Sequence, residues 1–144
     1  MGNLTRELSN NTKLTLVGID IRRGDKVGNK RYYLATQQYF IKAMQYFKSK
    51  YQAVHFVVAG DDRKWARRNI SPLGNTSLLP TGSSPAVDMA ALTLCDHVII
   101  SVGSFGFWAG WLGKGEVVYC TKPEHPFDGG KNYPGNWIGM TNDG

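Results

Sequence analysis

An apolar run over residues 14–21, Leu-Thr-Leu-Val-Gly-Ile-Asp-Ile, is rich enough in large aliphatic residues to predict a strand buried on both faces, as in a parallel sheet. It stops abruptly at Arg22-Arg23-Gly24-Asp25, and a polar loop follows over residues 26–31. Residues 33–51 predict a helix, because Phe40, Met44, Phe47 and Tyr51 recur at helical spacing while Lys42, Lys48 and Lys50 take other faces. A second strand over residues 54–59 ends at Gly60-Asp61-Asp62, whose aspartates can cap a short helix reaching Asn69. Residues 71–84, rich in Ser, Pro, Gly and Asn, predict loop with at most a short strand at 77–79. Pro85 suits the first turn of a helix entered from Ser83 or Ser84 and running to about Cys95. A strand over residues 97–102 leads into Gly103-Ser104-Phe105-Gly106, which opens a helix ending at Gly113 or Gly115. Residues 116–120 form a further strand. Beyond Thr121 the prolines and glycines predict an irregular tail pinned by Phe127, Tyr133 and Trp137.

Strand and helix alternate, so the pattern predicts an α/β fold, Rossmann-like and doubly wound, with a mainly parallel sheet. Residues 1–13 are a polar terminal segment, and residues 14–144 make one domain of ordinary size. In such sheets ligands sit outside the carboxyl ends of the strands, which puts Arg22-Arg23 and Gly103-Ser104 on the same edge.

Both turns carry anion chemistry. A guanidinium presents a fixed fork of donors matched to phosphate oxygens, and a nearby carboxylate such as Asp25 can hold it in one rotamer. A glycine turn entering a helix exposes backbone N–H groups at the positive helix end, and Ser104 adds a hydroxyl. Each turn also has a plainer explanation: charges facing water at the first, helix capping by Ser104 at the second. No Gly-x-Gly-x-x-Gly follows the first strand, which argues against a nicotinamide or flavin cofactor, and no Gly-x-x-x-x-Gly-Lys-Ser/Thr loop occurs. His55, His97 and His125 lack metal-ligand spacing, and no Gly-x-Ser-x-Gly elbow supports a hydrolase.

The 17 basic and 11 acidic residues give a formal charge of +6, which favours anionic partners. Nucleic acid ranks last among them, since the basic residues are scattered and the dense cluster Arg63-Lys64-Trp65-Ala66-Arg67-Arg68 reads as a solvated helix face. No apolar run approaches the roughly 18 residues that span a bilayer, and the start lacks a signal-peptide core. Yet sequons stand at Asn3, Asn10, Asn69 and Asn75, where chance predicts about one, and that excess points to a secretory lumen. The expectation that reconciles the two is a fragment separated from an N-terminal anchor. Cys95 and Cys120 are compatible with one bridge or with two buried thiols.

The motifs together carry a family resemblance. Val17-Gly18-Ile19-Asp20-Ile21-Arg22-Arg23-Gly24-Asp25, then Ser84-Pro85-Ala86-Val87-Asp88-Met89-Ala90-Ala91-Leu92, then Cys95-Asp96-His97 through Gly103-Ser104-Phe105-Gly106 resemble the nucleotide-binding half of the alpha-1,2-fucosyltransferases. They are similar, more distantly, to the alpha-1,6-fucosyltransferases. The resemblance covers about residues 14–120 in consistent order. It implies the carboxyl-terminal lobe of a two-lobed, GT-B-like enzyme that moves L-fucose from GDP-fucose to the 2-hydroxyl of a galactoside, inverting the anomeric centre without a metal ion. A galactose-terminated glycan is the implied acceptor, and the Golgi lumen, with a type II membrane topology at full length, the implied location.

Carried over by position, Arg22 and Asp25 are the catalytic pair, Arg22 gripping the diphosphate and Asp25 bracing the arginines, while Arg23 belongs to the donor site with its role left open between donor binding and structure. Asp88 reads the guanine, and Gly103, Ser104, Phe105 and Gly106 meet the β-phosphate, with Ser104 supplying hydroxyl and backbone. The family usually has His where this chain has Asp20, a carboxylate that can accept from the nucleotide but adds repulsion beside a diphosphate. No residue matches a general base, and Asp25 paired with arginine would be a weak one. The alternative is a GDP-sugar or anion-binding module without catalysis.

Overall fold

A computed structural model describes residues 13–23, 34–80, 82–121 and 133–142. The predicted loop at 26–31, the start of the predicted first helix, Asp25, Asn3, Asn10 and Phe127 lie outside the described residues. Six strands, β1 (Leu14–Ile21), β2 (Ala53–Gly60), β3 (Thr76–Leu78), β4 (His97–Ile100), β5 (Val117–Thr121) and β6 (Ile138–Thr141), form one sheet. Its order is β3-β2-β1-β4-β5-β6, and every neighbouring pair is parallel. This is the strand order of doubly wound dinucleotide-binding sheets, in which the winding reverses between the first and fourth strands. The helices are α1 (Gln37–Lys50), α2 (Arg63–Asn69), α3 (Pro85–Leu94) and α4 (Ser104–Leu112), with a 3-10 turn at Ser71–Leu73.

The period of two along β1 sorts its side chains between the sheet's faces. Val17, Ile19 and Ile21 join Tyr39, Phe40, Ala43, Met44 and Phe47 of α1 and Phe56 and Val58 of β2 in the main core. Gly18 and Asp20 point the other way, against α3 and α4. A Cβ on Gly18 would stand 2.8 Å from Leu92 Cδ2, so the bare glycine is what lets α3 lie close to the strand. On that second face Val98, Ile100 and Val117 pack with Tyr119 and Trp137, while Leu92 and Ala109 pack with Ala59.

Local chemistry sets the element ends. α1 starts at Gln37 rather than at residue 33 because Thr36 Oγ1 accepts the Tyr39 N–H at 3.3 Å and caps it. Asp62 caps α2 by accepting from Trp65 N, and Ser84 caps α3 with Pro85 in the first turn. β4 stops at Ile100, two residues before the expected end, as the chain turns into Gly103.

Two expectations need correction. The tail beyond Thr121 is not wholly irregular: Ile138–Thr141 pairs with β5 as the sheet's edge strand. Gly139 makes room for the Tyr119 ring, whose Cζ would lie 3.0 Å from an added Cβ. Arg63 is not part of a solvated face, since its guanidinium is turned inward, while Lys64, Arg67 and Arg68 are exposed. Tyr133 and Trp137 do pin the tail: Tyr133 stacks on Tyr119 at 4.4 Å, and Trp137 lies against the Cα of Gly110. Cys95, just past α3, and Cys120, in β5, are buried and form no disulfide.

Candidate diphosphate site at the strand switch

β1 and β4 are neighbours whose connections leave in opposite directions, and the crevice at their carboxyl ends receives Arg22 from one and Gly103 from the other. The alternation of β1 continues past its last residue. Arg22 falls on the α3/α4 face and Arg23 on the α1/α2 face, so two adjacent arginines do different work.

Arg22 is fixed on several sides. Its backbone N–H donates to Ser101 Oγ at 3.0 Å, tying the end of β1 to the end of β4. Its Nε donates to Asp20 Oδ1 at 2.8 Å, and Nη2 lies 3.5 Å from Asp88 Oδ2. The guanidinium carbon sits 3.7 Å from the centroid of the Phe105 ring, a cation–π contact that supports the flat ion from one face. With 14% of the side chain exposed, the donors not used internally are the part that can meet a ligand.

Asp20 has no solvent exposure, and its second oxygen, Oδ2, is enclosed without a hydrogen-bond partner. That oxygen faces Ile100 and the bare Cα of Gly106, where a Cβ would stand 3.0 Å from it. Burial pushes its pKa up to about 6 against the pull of Arg22, with Asp61 and Asp88 adding repulsion. Asp88 is 3% exposed and engaged at both oxygens: Oδ1 accepts from Ser83 Oγ at 2.7 Å, Oδ2 faces Arg22. Arg63 backs this pair. Its Nη2 donates to Ser83 Oγ at 3.1 Å and to the Pro80 carbonyl at 3.2 Å, and lies 3.9 Å from Asp88 Oδ1.

Arg23 is built into the opposite side. Its N–H donates to Asp61 Oδ1 at 2.8 Å, Nη1 donates to the Ala35 carbonyl at 3.2 Å, and the guanidinium lies 4.2 Å over Trp65. Burial lowers its pKa, with Asp62 and Asp61 opposing. These contacts give it a structural role.

Gly103 has φ of 114°, a left-handed conformation that favours glycine, and this turn aims the first amides of α4 into the crevice. Ser104 is exposed at the first helical position and no side chain caps the helix, so its leading N–H groups are available to an anion. The structure therefore brings Asp20, Arg22, Asp88, Phe105 and Gly106 together around the crevice, with Gly103 and Ser104 at its rim. Sequence reasoning missed Ser83, Ser101 and Arg63. Ser101 carried a signal, as a polar residue closing a buried strand. Arg63 carried none, because its cluster looked like an ordinary basic helix face.

Among the described residues no group of three or more His, Cys, Asp or Glu side chains could hold a metal ion, and no helix is long and apolar enough to cross a membrane. A cavity of about 720 Å³ lies at the opposite, amino-terminal edge of the sheet, lined by Lys13, His97 and Lys114 among others. Strand switch and helix N-terminus, not cavity size, mark the candidate anion site.

A sheet with every neighbouring pair parallel and this strand order defines an α/β fold of Rossmann type, and the anchored guanidinium and uncapped helix at its switch point make a candidate anion site. The chain matches glycosyl transferase family 11 over residues 1–141 and belongs to that family. It is 37% identical over 123 residues to galactoside alpha-(1,2)-fucosyltransferase 2 of Bos taurus, covering 78% of this chain and 36% of that protein. It is 37% identical over the same length to galactoside 2-alpha-L-fucosyltransferase Sec1 of Mus musculus, with 78% and 33% covered. The chain thus spans about a third of the length of the curated relatives it matches. No solved structure matches it.

Proposed function

We propose that this chain is the donor-binding lobe of a galactoside 2-alpha-L-fucosyltransferase, transferring L-fucose from GDP-fucose to a galactose-terminated glycan with inversion and without a metal ion. The observation that carries the reading is Arg22, held between Asp20 and Asp88 over Phe105 and facing the uncapped start of α4. Membership of glycosyl transferase family 11 supplies the reaction class. The lobe belongs to a two-lobed, GT-B-like enzyme, and the Golgi lumen is the compartment the family resemblance implies.

As the sugar leaves, negative charge builds on the β-phosphate. Arg22 and the first amides of α4 stabilise it as preorganised donors, an effect that can supply several kcal/mol. Ser104 adds a hydroxyl at the same rim. Ser83 and Arg63 keep Asp88 in place, and Asp88 with Asp20 keeps Arg22 in one rotamer, so little ordering cost falls on binding. Both Asp88 oxygens are engaged inside the chain, which makes it a positioning residue here; reading guanine with this carboxylate requires it to leave Ser83.

The carboxylate of Asp20, buried beside the guanidinium that a diphosphate must approach, favours a second reading, a GDP-sugar-binding module without transfer. The test is fucose transfer from GDP-fucose to a lactose-type acceptor, with and without a chelator, by the native chain and by Arg22→Ala. Transfer that ignores the chelator and fails in the variant supports the enzyme. Binding of GDP-fucose without transfer supports the module, and indifference to Arg22 contradicts both.

A further inference from the structure

Asp20 is the odd member of the site. A diphosphate site calls for positive charge, yet the charged groups that act on Asp20 are Arg22, Asp88 from α3, with Arg63 of α2 behind it, and Asp61 just past β2, which accepts the Arg23 N–H. Counting Asp20 itself, that is three carboxylates against two guanidiniums among these described residues. One oxygen of Asp20 satisfies Arg22, while Oδ2 is buried against Ile100 and Gly106 with no donor. An ionised carboxylate with a bare oxygen in an apolar wall is costly, and the cost rises with every further negative charge brought near.

We propose that binding of the sugar-nucleotide diphosphate at this site is coupled to uptake of one proton by Asp20. This rests on the donor-site reading above. The proton comes from solvent and forms the O–H bond on Oδ2, the oxygen without a partner. Oδ1, now a carbonyl oxygen, still accepts from Arg22 Nε, so the side chain keeps the arginine aimed. Neutralising Asp20 releases Arg22 from one of its two carboxylates and turns its charge toward the phosphates. Burial already lifts the group's pKa to about 6 before an anion arrives, so at pH 7 it is mostly ionised yet only about one pH unit from taking up the proton.

GDP-fucose is the probe of choice, because its diphosphate is esterified at both ends and has no ionisation of its own near pH 7. Calorimetric titration of the native chain with GDP-fucose at pH 7, in buffers of different ionisation enthalpy, gives the protons exchanged from the slope of apparent enthalpy. Uptake approaching one proton is expected, with affinity falling by up to about tenfold per pH unit between pH 6 and 8. Asp20→Asn, which keeps an acceptor for Arg22 Nε, is expected to show no uptake, no pH slope, and tighter binding than native at pH 8. Native binding without proton uptake overturns the inference and leaves the donor reading standing, a result that needs no variant to fold. Uptake that persists in Asp20→Asn also overturns it, by assigning the proton elsewhere. Absence of any GDP-fucose binding overturns the donor reading and the coupling together.

Discussion

Arg22 and Arg23 are consecutive in the chain yet occupy opposite faces of the sheet, one stacked on Phe105 at 3.7 Å and the other on Trp65 at 4.2 Å. The strand's alternation turns one toward the crevice at the strand switch and makes the other a fastener for α1 and α2. Arg23→Ala should therefore lower stability by about 1–2 kcal/mol, through loss of the Trp65 contact and the bond to the Ala35 carbonyl, with little effect on GDP affinity. Denaturant melts alongside GDP titrations check it. A large affinity loss without destabilisation would put Arg23 in the site.

The second face of β1 is fitted around missing side chains. Gly106→Ala places a methyl 3.0 Å from Asp20 Oδ2 and 3.1 Å from Ile100 Cβ, and Gly18→Ala places one 2.8 Å from Leu92 Cδ2. Gly106→Ala, pressing on a buried carboxylate and on Ile100 Cβ, should cost about 1–2 kcal/mol net of the helix propensity alanine gains, and Gly18→Ala less, because its contact is the far end of the Leu92 side chain. Gly135→Ala, with nothing within 4 Å of the new methyl, should be neutral. Thermal melts of the three variants side by side decide whether α3 and α4 lie this close.

The Asp20 carboxyl titrates at about pH 6 in the folded chain against 3.8 for an unperturbed aspartate. Between those values the folded state holds the proton and the unfolded state does not. The group's favourable contribution is therefore complete below about pH 4 and is lost as pH rises through 6, a change on the order of 3 kcal/mol. The stability of native protein relative to Asp20→Asn should fall across that window. Parallel stability curves for the two proteins would contradict the burial of this carboxylate.

The two sequons among the described residues differ in accessibility. Asn75 is exposed, whereas Asn69 is half-buried and its Nδ2 donates to the Trp65 carbonyl at 3.0 Å. Expressed through a secretory host, Asn75→Gln should lose the mass of one glycan and Asn69→Gln should lose none. Intact-mass measurement reads this directly.

The apolar run breaking at Arg22, the Ser84 cap before Pro85 and the Gly103 turn were legible because they depend on neighbours in sequence. The division of labour between Arg22 and Arg23 was present in the same alternation, continued two residues past the strand. What could not be read is what depends on distant partners. The contact of Asp88 with Arg22 closes across 66 residues, and Arg63 is recruited inward by Pro80 and Ser83. The edge strand β6 was hidden by its length of four residues and by Gly139, which weakens a strand signal while giving Tyr119 its space. Asp20 was legible as a departure from the family pattern; only packing reveals that it braces Arg22.

The central claim is that Arg22 holds the diphosphate of a guanine nucleotide at the strand switch. Calorimetric titration with GDP of native chain, Arg22→Ala and Arg23→Ala, each shown folded by its thermal melt, tests it most directly. The account predicts GDP binding in the native chain, a loss of about 10–100-fold in Arg22→Ala from the charged hydrogen bonds removed, and near-native affinity in Arg23→Ala. No GDP binding by the native chain, or equal affinity with and without Arg22, would contradict it.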